Sequence, residues 1–389
     1  MTRASFTRIS ALGVVLSVAG CGGPDGDAPA VPAASGGGGS AAGGSGGGGA
    51  TGGGGSATGG DASVSLPPAA ACPAASTPCG PTVLDSGIPS PGTFQVRDGY
   101  LYWRNTAAAE SGTNRDANSV LRVRLPDGAP EVVTTLDGGS LMSIAVDATH
   151  VYLADHQRGV ARVPVGGGTP EYLTDAGAVV VTLDETHVYF SLAQSNGAVA
   201  RVPKAGGAVQ NLALATSPTH VAVDATHLYW VDRAGSPLAL SRVPKAGGDA
   251  EILVSDVPER PERVIVIGDE LFLPVDRPEG TTGARGAILR VPAAGGAVQE
   301  ITSHAHPFGS MGVDADSFYV GTCPGVAGEA AVLRIPRAGG SGIEIARGGL
   351  CYVGVTVDAT RVYFGEWGAP NYQSTGDGSV LSADKCGCP

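Results

Sequence analysis

The chain has 389 residues, with 36 acidic against 24 basic side chains and a formal charge of −12. No basic stripe breaks that balance, which excludes nucleic acid as an expected partner. Glycine supplies 62 residues, and no run outside the N-terminal region is apolar enough to span a bilayer.

At the N-terminus Arg3 and Arg8 precede the apolar run ISALGVVLSVAG. It is too short to cross a membrane and right for a secretory signal over residues 1–20. The run ends Val18-Ala19-Gly20-Cys21 and resembles the bacterial lipoprotein signal, in which the cysteine becomes the lipid-bearing first residue. The resemblance implies a membrane partner reached through a lipid on Cys21; the alternative is an ordinary signal peptide that happens to contain a cysteine. Gly22 rather than Asp follows, so the outer membrane of a bacterial cell envelope is the expected address, periplasmic or surface side left open. Residues 21–71 read as a disordered Gly/Ser/Ala-rich tether, because a stretch such as SGGGGSAAGGSGGGG has nothing to bury. About 50 such residues have a root-mean-square span of roughly 40 Å. Residues 72–389 form the expected folded domain, long enough for one large core and expected to be monomeric.

From about Phe94 to Lys385 the chain repeats itself. The period is marked by an aromatic in the second apolar run of each unit: Tyr102, Tyr152, Tyr189, Tyr229, Phe272, Tyr319 and Tyr363. Similarity at a fixed spacing of this size signals a repeat architecture. Around Val221, HVAV alternates, DATH breaks the pattern, and LYWV is apolar and aromatic. A Gly/Pro loop, ALSRVP, the turn KAGG and EILVS follow. Four short strand signals with no 3.6-residue period predict a four-stranded antiparallel sheet. About 40 residues per four strands matches a propeller blade, so the expected fold is all-β, a seven-bladed β-propeller.

On this reading the repeated residues are framework. They include the seven aromatics, Asp147, Asp184, Asp224 and Asp358, and the prolines Pro164, Pro203, Pro244 and Pro292. Arg124, Arg162, Arg201, Arg242, Arg290 and Arg334, just before the third-strand ends, join them. His150, His187 and His227 sit in three copies of one consensus turn, which does not make a metal site.

The seventh unit supplies three strands before the chain ends. The segment PTVLDSGIPSPGTFQV has the pattern of a fourth strand leading into a first strand, so residues 82–87 are predicted to complete the last blade. Such a clasp removes exposed sheet edges. Apart from Cys21, six cysteines remain. Cys323 and Cys351 fall on one face of the ring, in adjacent blades, and are expected to pair. Cys72, Cys79, Cys386 and Cys388 fall together on the other face, where two bridges with three possible connectivities are expected.

The second strands of four units end YWRN (102–105), YLAD (152–155), YWVD (229–232) and YFGE (363–366), followed downstream by sequences such as SRVPKAGGDAEIL. These resemble the YWTD-repeat propellers of the low-density-lipoprotein-receptor class, and bacterial lipoprotein propellers with the same repeat style. The resemblance covers about 94–388 and implies a non-catalytic recognition scaffold with an unknown protein or glycan ligand. Seven units against six in those receptors, and no cysteine-rich module after the ring, argue against transferring the receptor's partner.

Function on such a scaffold is expected in the loops between strands two and three and between blades, the longest being 104–119, 274–287 and 365–379. Candidate ligand-binding residues are Asp155, Asp232, Trp230, His304, His306, Glu366, Trp367 and Tyr372, with Trp103 and Arg104 on the same expected rim. Asp155, Asp232 and Glu366 occupy equivalent strand ends, which would let them converge on the channel and offer oxygens to Ca2+. His304 with Glu366 would supply an acid–base pair if the protein were a lyase or hydrolase. No nucleophile elbow, HExxH or phosphate-cradling loop marks an enzyme. No cofactor is otherwise expected.

Overall fold

The structure is a computed structural model. It describes residues 66–70, 72, 80–88, 90–105, 118–192, 197–233, 237–258, 260–277, 285–367 and 378–387. The expected signal, residues 21–65 of the expected tether, and Cys79, Tyr372 and Cys388 lie outside the described residues; residues 66–70, read from the sequence as the end of the tether, are in contact with the domain instead.

Strand β1 (Thr82–Ile88) is followed by seven units, of which the last has three strands and takes β1 as its fourth. Blade 1 is β2 (Pro91–Arg97), β3 (Tyr100–Asn105), β4 (Ser119–Arg124) and β5 (Glu131–Thr135). Blade 2 is β6 (Leu141–Val146), β7 (His150–Asp155), β8 (Gly159–Pro164) and β9 (Glu171–Tyr172). Blade 3 is β10 (Ala178–Leu183), β11 (His187–Leu192), β12 (Ala198–Pro203) and β13 (Gln210–Leu214). Blade 4 is β14 (Pro218–Val223), β15 (His227–Asp232), β16 (Leu238–Pro244) and β17 (Glu251–Val257). Blade 5 has a first strand split into β18 (Arg260–Pro261) and β19 (Ile265–Ile267), then β20 (Glu270–Asp276), β21 (Gly286–Pro292) and β22 (Gln299–His304). Blade 6 is β23 (Phe308–Val313), β24 (Ser317–Thr322), β25 (Ala331–Pro336) and β26 (Ile343–Arg347). Blade 7 is β27 (Tyr352–Val357), β28 (Arg361–Glu366) and β29 (Gly378–Asp384), completed on its outer edge by β1.

All pairings are antiparallel, and first strands of neighbouring blades meet around the axis. The fold is a seven-bladed β-propeller with no helix among the described residues. The cores lie between blades rather than within them. One cluster joins Tyr229, Val231 and Leu240 of blade 4 to Leu271, Leu273 and Val291 of blade 5, so each sheet is apolar on both faces.

The repeated polar residues bind one blade to the next. In blade 2, Oδ1 of Asp147 accepts from the amides of Thr149 and His150, both at 2.8 Å, closing the turn after the first strand. Oδ2 accepts from the ammonium of Lys204 in blade 3, at 2.8 Å. Asp184 repeats this in blade 3, taking the Tyr189 hydroxyl (2.8 Å) and Lys245 of blade 4 (2.7 Å). Asp314 does so in blade 6 with Tyr319 (2.8 Å) and Lys385 of blade 7 (2.7 Å). The chain's three lysines all occupy this one position. Where no lysine is supplied, Asp224 and Asp358 still cap their turns and hold Tyr229 and Tyr363 but are less buried. Arginines lace the same seams in the other direction. Arg162 of blade 2 donates to Glu171 on its own sheet and to the Lys204 carbonyl of blade 3, and Arg242 of blade 4 donates to Glu251 and to the Ala293 carbonyl of blade 5.

One expectation needs correcting. In blade 1 the framework arginine is Arg122, which stands opposite Tyr102, donates to Glu131 and reaches the Val165 carbonyl. Arg124 pairs instead with Tyr100, where the other blades carry the proline, because this unit reaches its proline two residues later.

The turns between third and fourth strands require their glycines. Gly206, Gly247, Gly295 and Gly339 have φ of 86°, 92°, 88° and 95°, which a residue with a Cβ rarely adopts. Each donates its amide to the carbonyl of the strand-ending proline, at 2.9 Å.

Ring closure joins both ends of the domain. β1 pairs with β29 from Thr82↔Ser382 to Ile88↔Gly378. Residues 66–70 lie across the seam between blades 6 and 7: Pro67 accepts from the Ala315 amide (3.0 Å) and Pro68 from the Lys385 ammonium (3.3 Å). Cys72 is bonded to Cys386. Cys323 and Cys351 are bonded on the opposite face.

Three outcomes follow. Lys385 is 0% exposed, so Lys385→Met strands the Asp314 carboxylate and should cost about 3–5 kcal/mol in denaturant unfolding, with part recovered by adding Asp314→Asn. Burial opposes ionisation of Asp147, Asp184 and Asp314, but hydrogen bonds from lysine and turn amides outweigh it and hold all three below the usual carboxylate range. Their stabilisation is therefore complete above the unfolded value of about 4 and is lost as the pH falls below it, which an acid titration of the unfolding midpoint will show. Cys72→Ser opens a cross-link spanning 314 residues. It should lower stability by up to about 5 kcal/mol, less whatever the β1 pairing retains, in denaturant unfolding read against the oxidised wild type.

Candidate functional site

The ring has two unlike faces. One carries the turns between strands one and two and between three and four, with the Asp–Lys seams and the Cys72–Cys386 bond. The other, here the open face, carries the connections between strands two and three and between blades, with Cys323–Cys351.

On the open face the strand-end acids are caps. Asp155 is 0% exposed and accepts from the amides of Ser140 (3.1 Å) and Gln157 (2.9 Å) and the hydroxyl of Tyr172 (2.8 Å). Asp232 accepts from the amides of Thr216 (2.8 Å) and Ser217 (3.0 Å). Glu366 accepts from the Leu350 amide, and burial pushes its carboxyl up. Each carboxylate thus holds the connection arriving from the preceding blade, one layer out from the axis. The expected convergence of Asp155, Asp232 and Glu366 on the channel is not found. No group of three or more His, Cys, Asp or Glu side chains with metal-binding geometry occurs among the described residues.

The expected aromatic rim is likewise revised. Trp103 is 0% and Trp230 3% exposed; both fill cores between blades. In the tetrad YWVD, tyrosine binds the seam carboxylate, tryptophan packs the core and aspartate caps the strand end, so the motif is framework throughout. Trp367 is half-buried and donates its indole N–H to the Pro91 carbonyl at 3.4 Å, across the seam between blades 7 and 1. His304 and His306 are neighbours, with ring centroids 5.5 Å apart. Nδ1 of His304 accepts the His306 amide at 3.2 Å, its ring stacks on Phe308, and burial lowers its pKa. The charged neighbours of His304 are His306 and Glu344, with Glu366 not among them.

What sequence reasoning missed lies on the axis. Every blade's first strand breaks register near its start, leaving one residue beside an axial position before the next returns to the core. At this break in the innermost strand of each blade, called here the axial position, stand in chain order Thr93, Ser143, Val180, His220, Arg263, Ser310 and Gly354. The residues after them, including Phe94, Ile144, Val221 and Val264, are buried. Five of the seven are small or short. His220 and Arg263 are large, polar and on adjacent blades. Arg233, one residue beyond the Asp232 cap, and Arg260 are electrostatic neighbours of His220. Arg104 sits at the mouth by blade 1, donating to Thr93 Oγ1 (3.0 Å) and the Leu141 carbonyl (3.5 Å). Burial brings its pKa down to about 10. The available signal was the departure from consensus at one position of aligned repeats.

No family model matches this chain, and no curated protein does. Solved structures do, at the level of fold. Virginiamycin B lyase from Staphylococcus aureus, crystallised as a catalytically inactive variant with quinupristin, superposes with a TM-score of 0.57 at 15% identity, over 78% of this chain and 98% of that one. YCF48 from Cyanidioschyzon merolae superposes with a TM-score of 0.56 at 10% identity, over 79% and 99%. At such identities the shared property is the propeller.

If Asp155 is a cap, Asp155→Ala leaves two amides and a hydroxyl without their acceptor. It should cost about 2–3 kcal/mol by thermal or denaturant unfolding and leave the metal content of purified protein unchanged.

Proposed function

We propose that this protein is a lipid-anchored protein of the bacterial cell envelope that presents its propeller as a non-catalytic binding scaffold, with the ligand surface on the open face. The observation that carries the reading is the division of labour between the faces. Residues 66–70 lie across the seam between blades 6 and 7, and Cys72 is bonded to Cys386, so a chain held through its N-terminus has the opposite face free. That face also has a departure from blade symmetry, His220 and Arg263 on adjacent blades. The YWTD-like tetrads support kinship of repeat style with recognition propellers, while their framework roles leave the ligand unspecified. The N-terminal segments supply the anchoring half: a lipoprotein-type signal at residues 1–20, Cys21, and a tether over 21–65. The lyase crystallised with quinupristin shares the propeller fold at 15% identity, a likeness of fold alone.

Growth with an alkyne palmitate analogue tests the anchor. Label should appear on the wild type, disappear in Cys21→Ser, and its loss should move the protein out of the membrane fraction. Label retained by Cys21→Ser, or none on the wild type, would overturn the anchoring half of the reading.

A further inference from the structure

The axial ring is interrupted by charge at one place. His220 adopts φ of 53° there, left-handed backbone that disfavours a side chain; Thr93 does the same in blade 1 at φ 47°, while blade 7 fills the position with Gly354 at φ 63°. An imidazole is thus held where glycine would fit with less strain. Its Nε2 is buried and has no hydrogen-bond partner among the described residues. Arg263 donates one hydrogen bond, to the Met311 carbonyl at 3.3 Å, and no carboxylate pairs with it among the described residues. Arg233 donates to the Pro261 carbonyl at 3.3 Å, and its Nε is buried without a partner. Glu262 is the acid acting on Arg233 and Arg260; burial favours its neutral form. Asp276 lies 3.8 Å from Arg285. In a chain where acids outnumber bases, three arginines and a histidine gather at one mouth, with more donors than the nearby acids and carbonyls take up.

We propose that this mouth, between blades 4 and 5 on the open face, binds the carboxylate or phosphate group of a small anionic ligand, held by Arg263 and Arg233 and contacted by His220. The proposal rests on the reading of the open face as the binding surface and names the ligand class. Guanidinium groups are suited to both anions because their paired N–H donors match two oxygens. Burial, then Arg233, Arg263 and Arg260, bring the His220 pKa down to about 3, so the imidazole is neutral near pH 7. An anion beside the ring offsets those arginines and favours the imidazolium, which then donates from both nitrogens. Ligand binding therefore takes up a proton at His220, and affinity for a given ionic form of the anion rises as the pH falls below neutral.

Isothermal titration of the purified full chain with citrate and, separately, inorganic phosphate tests this, with chloride as the control. One of the two should bind at a single site, more tightly at the lower pH, with proton uptake revealed by buffers of different ionisation heat; which one binds separates carboxylate from phosphate. Arg263→Gln should weaken binding by about tenfold or more. His220→Gln should abolish the pH dependence, and His304→Gln should leave binding unchanged. If Arg263→Gln fails to fold by thermal melt, Arg263→Lys keeps the charge without the fork and should show a smaller loss. No binding of either anion above the chloride control, pH-independent binding, or equal affinity in the folded Arg263 variant would overturn the proposal. Palmitate labelling is independent of all these results, so failure here leaves the anchor standing, and failure there leaves this site standing.

Discussion

The structure depends on one shared carboxylate at the seam between blades. A blade alone would expose two apolar faces, and stacking buries them without fixing the angle or register at which neighbours meet. The aspartate of the first turn supplies that fix. One oxygen closes its own hairpin, while the other takes a tyrosine hydroxyl from the same blade and, at three seams, a lysine from the next. Local turn geometry is thereby coupled to the relative placement of two sheets. An ion pair in so dry a setting repays its desolvation only with good geometry and extra hydrogen bonds, and this one has both. The aspartates left without lysine are also the less buried ones.

The same logic explains why the most conspicuous motif is mute about function. A residue appearing in several blades must do something every blade needs, and the tetrads do: seam, core and cap. What binds a ligand must break that equivalence. The axial positions make the point, since short residues fill most of them and His220 with Arg263 stand out side by side. They lie on the face away from the joined chain ends, so closure of the ring and presentation of a surface are assigned to opposite sides of one disc.

Closure also shows why the chain ends need more than strand pairing. β1 joins β29 only through an outer edge, the part of a propeller with fewest neighbours. Residues 66–70 add carbonyl acceptors over the Lys385–Asp314 pair, and Cys72 adds a covalent bond to Cys386. The last seam is thus held by the terminus that would otherwise peel away first.

The repeat period, the four strand signals per unit, the N-terminal clasp and the Cys323–Cys351 pairing were legible in the sequence because each is a local pattern or follows from strand order. Arg122 was misread as Arg124 because a proline was used to mark the register and this unit reaches its proline two residues later. Trp103 and Trp230 were placed on a rim because a linear pattern cannot tell which face of a two-sided apolar strand meets solvent. Asp155, Asp232 and Glu366 were rightly found equivalent, but equivalence alone does not say whether an acid points to the axis or to the amides of the preceding connection. His220 and Arg263 went unnoticed because each is unremarkable within its own unit. The chain by itself determined what repeats and how often, since periodicity is written in neighbouring residues. Only tertiary structure decided which non-repeated side chains stand together, because the ring brings residues of separate blades side by side around its axis.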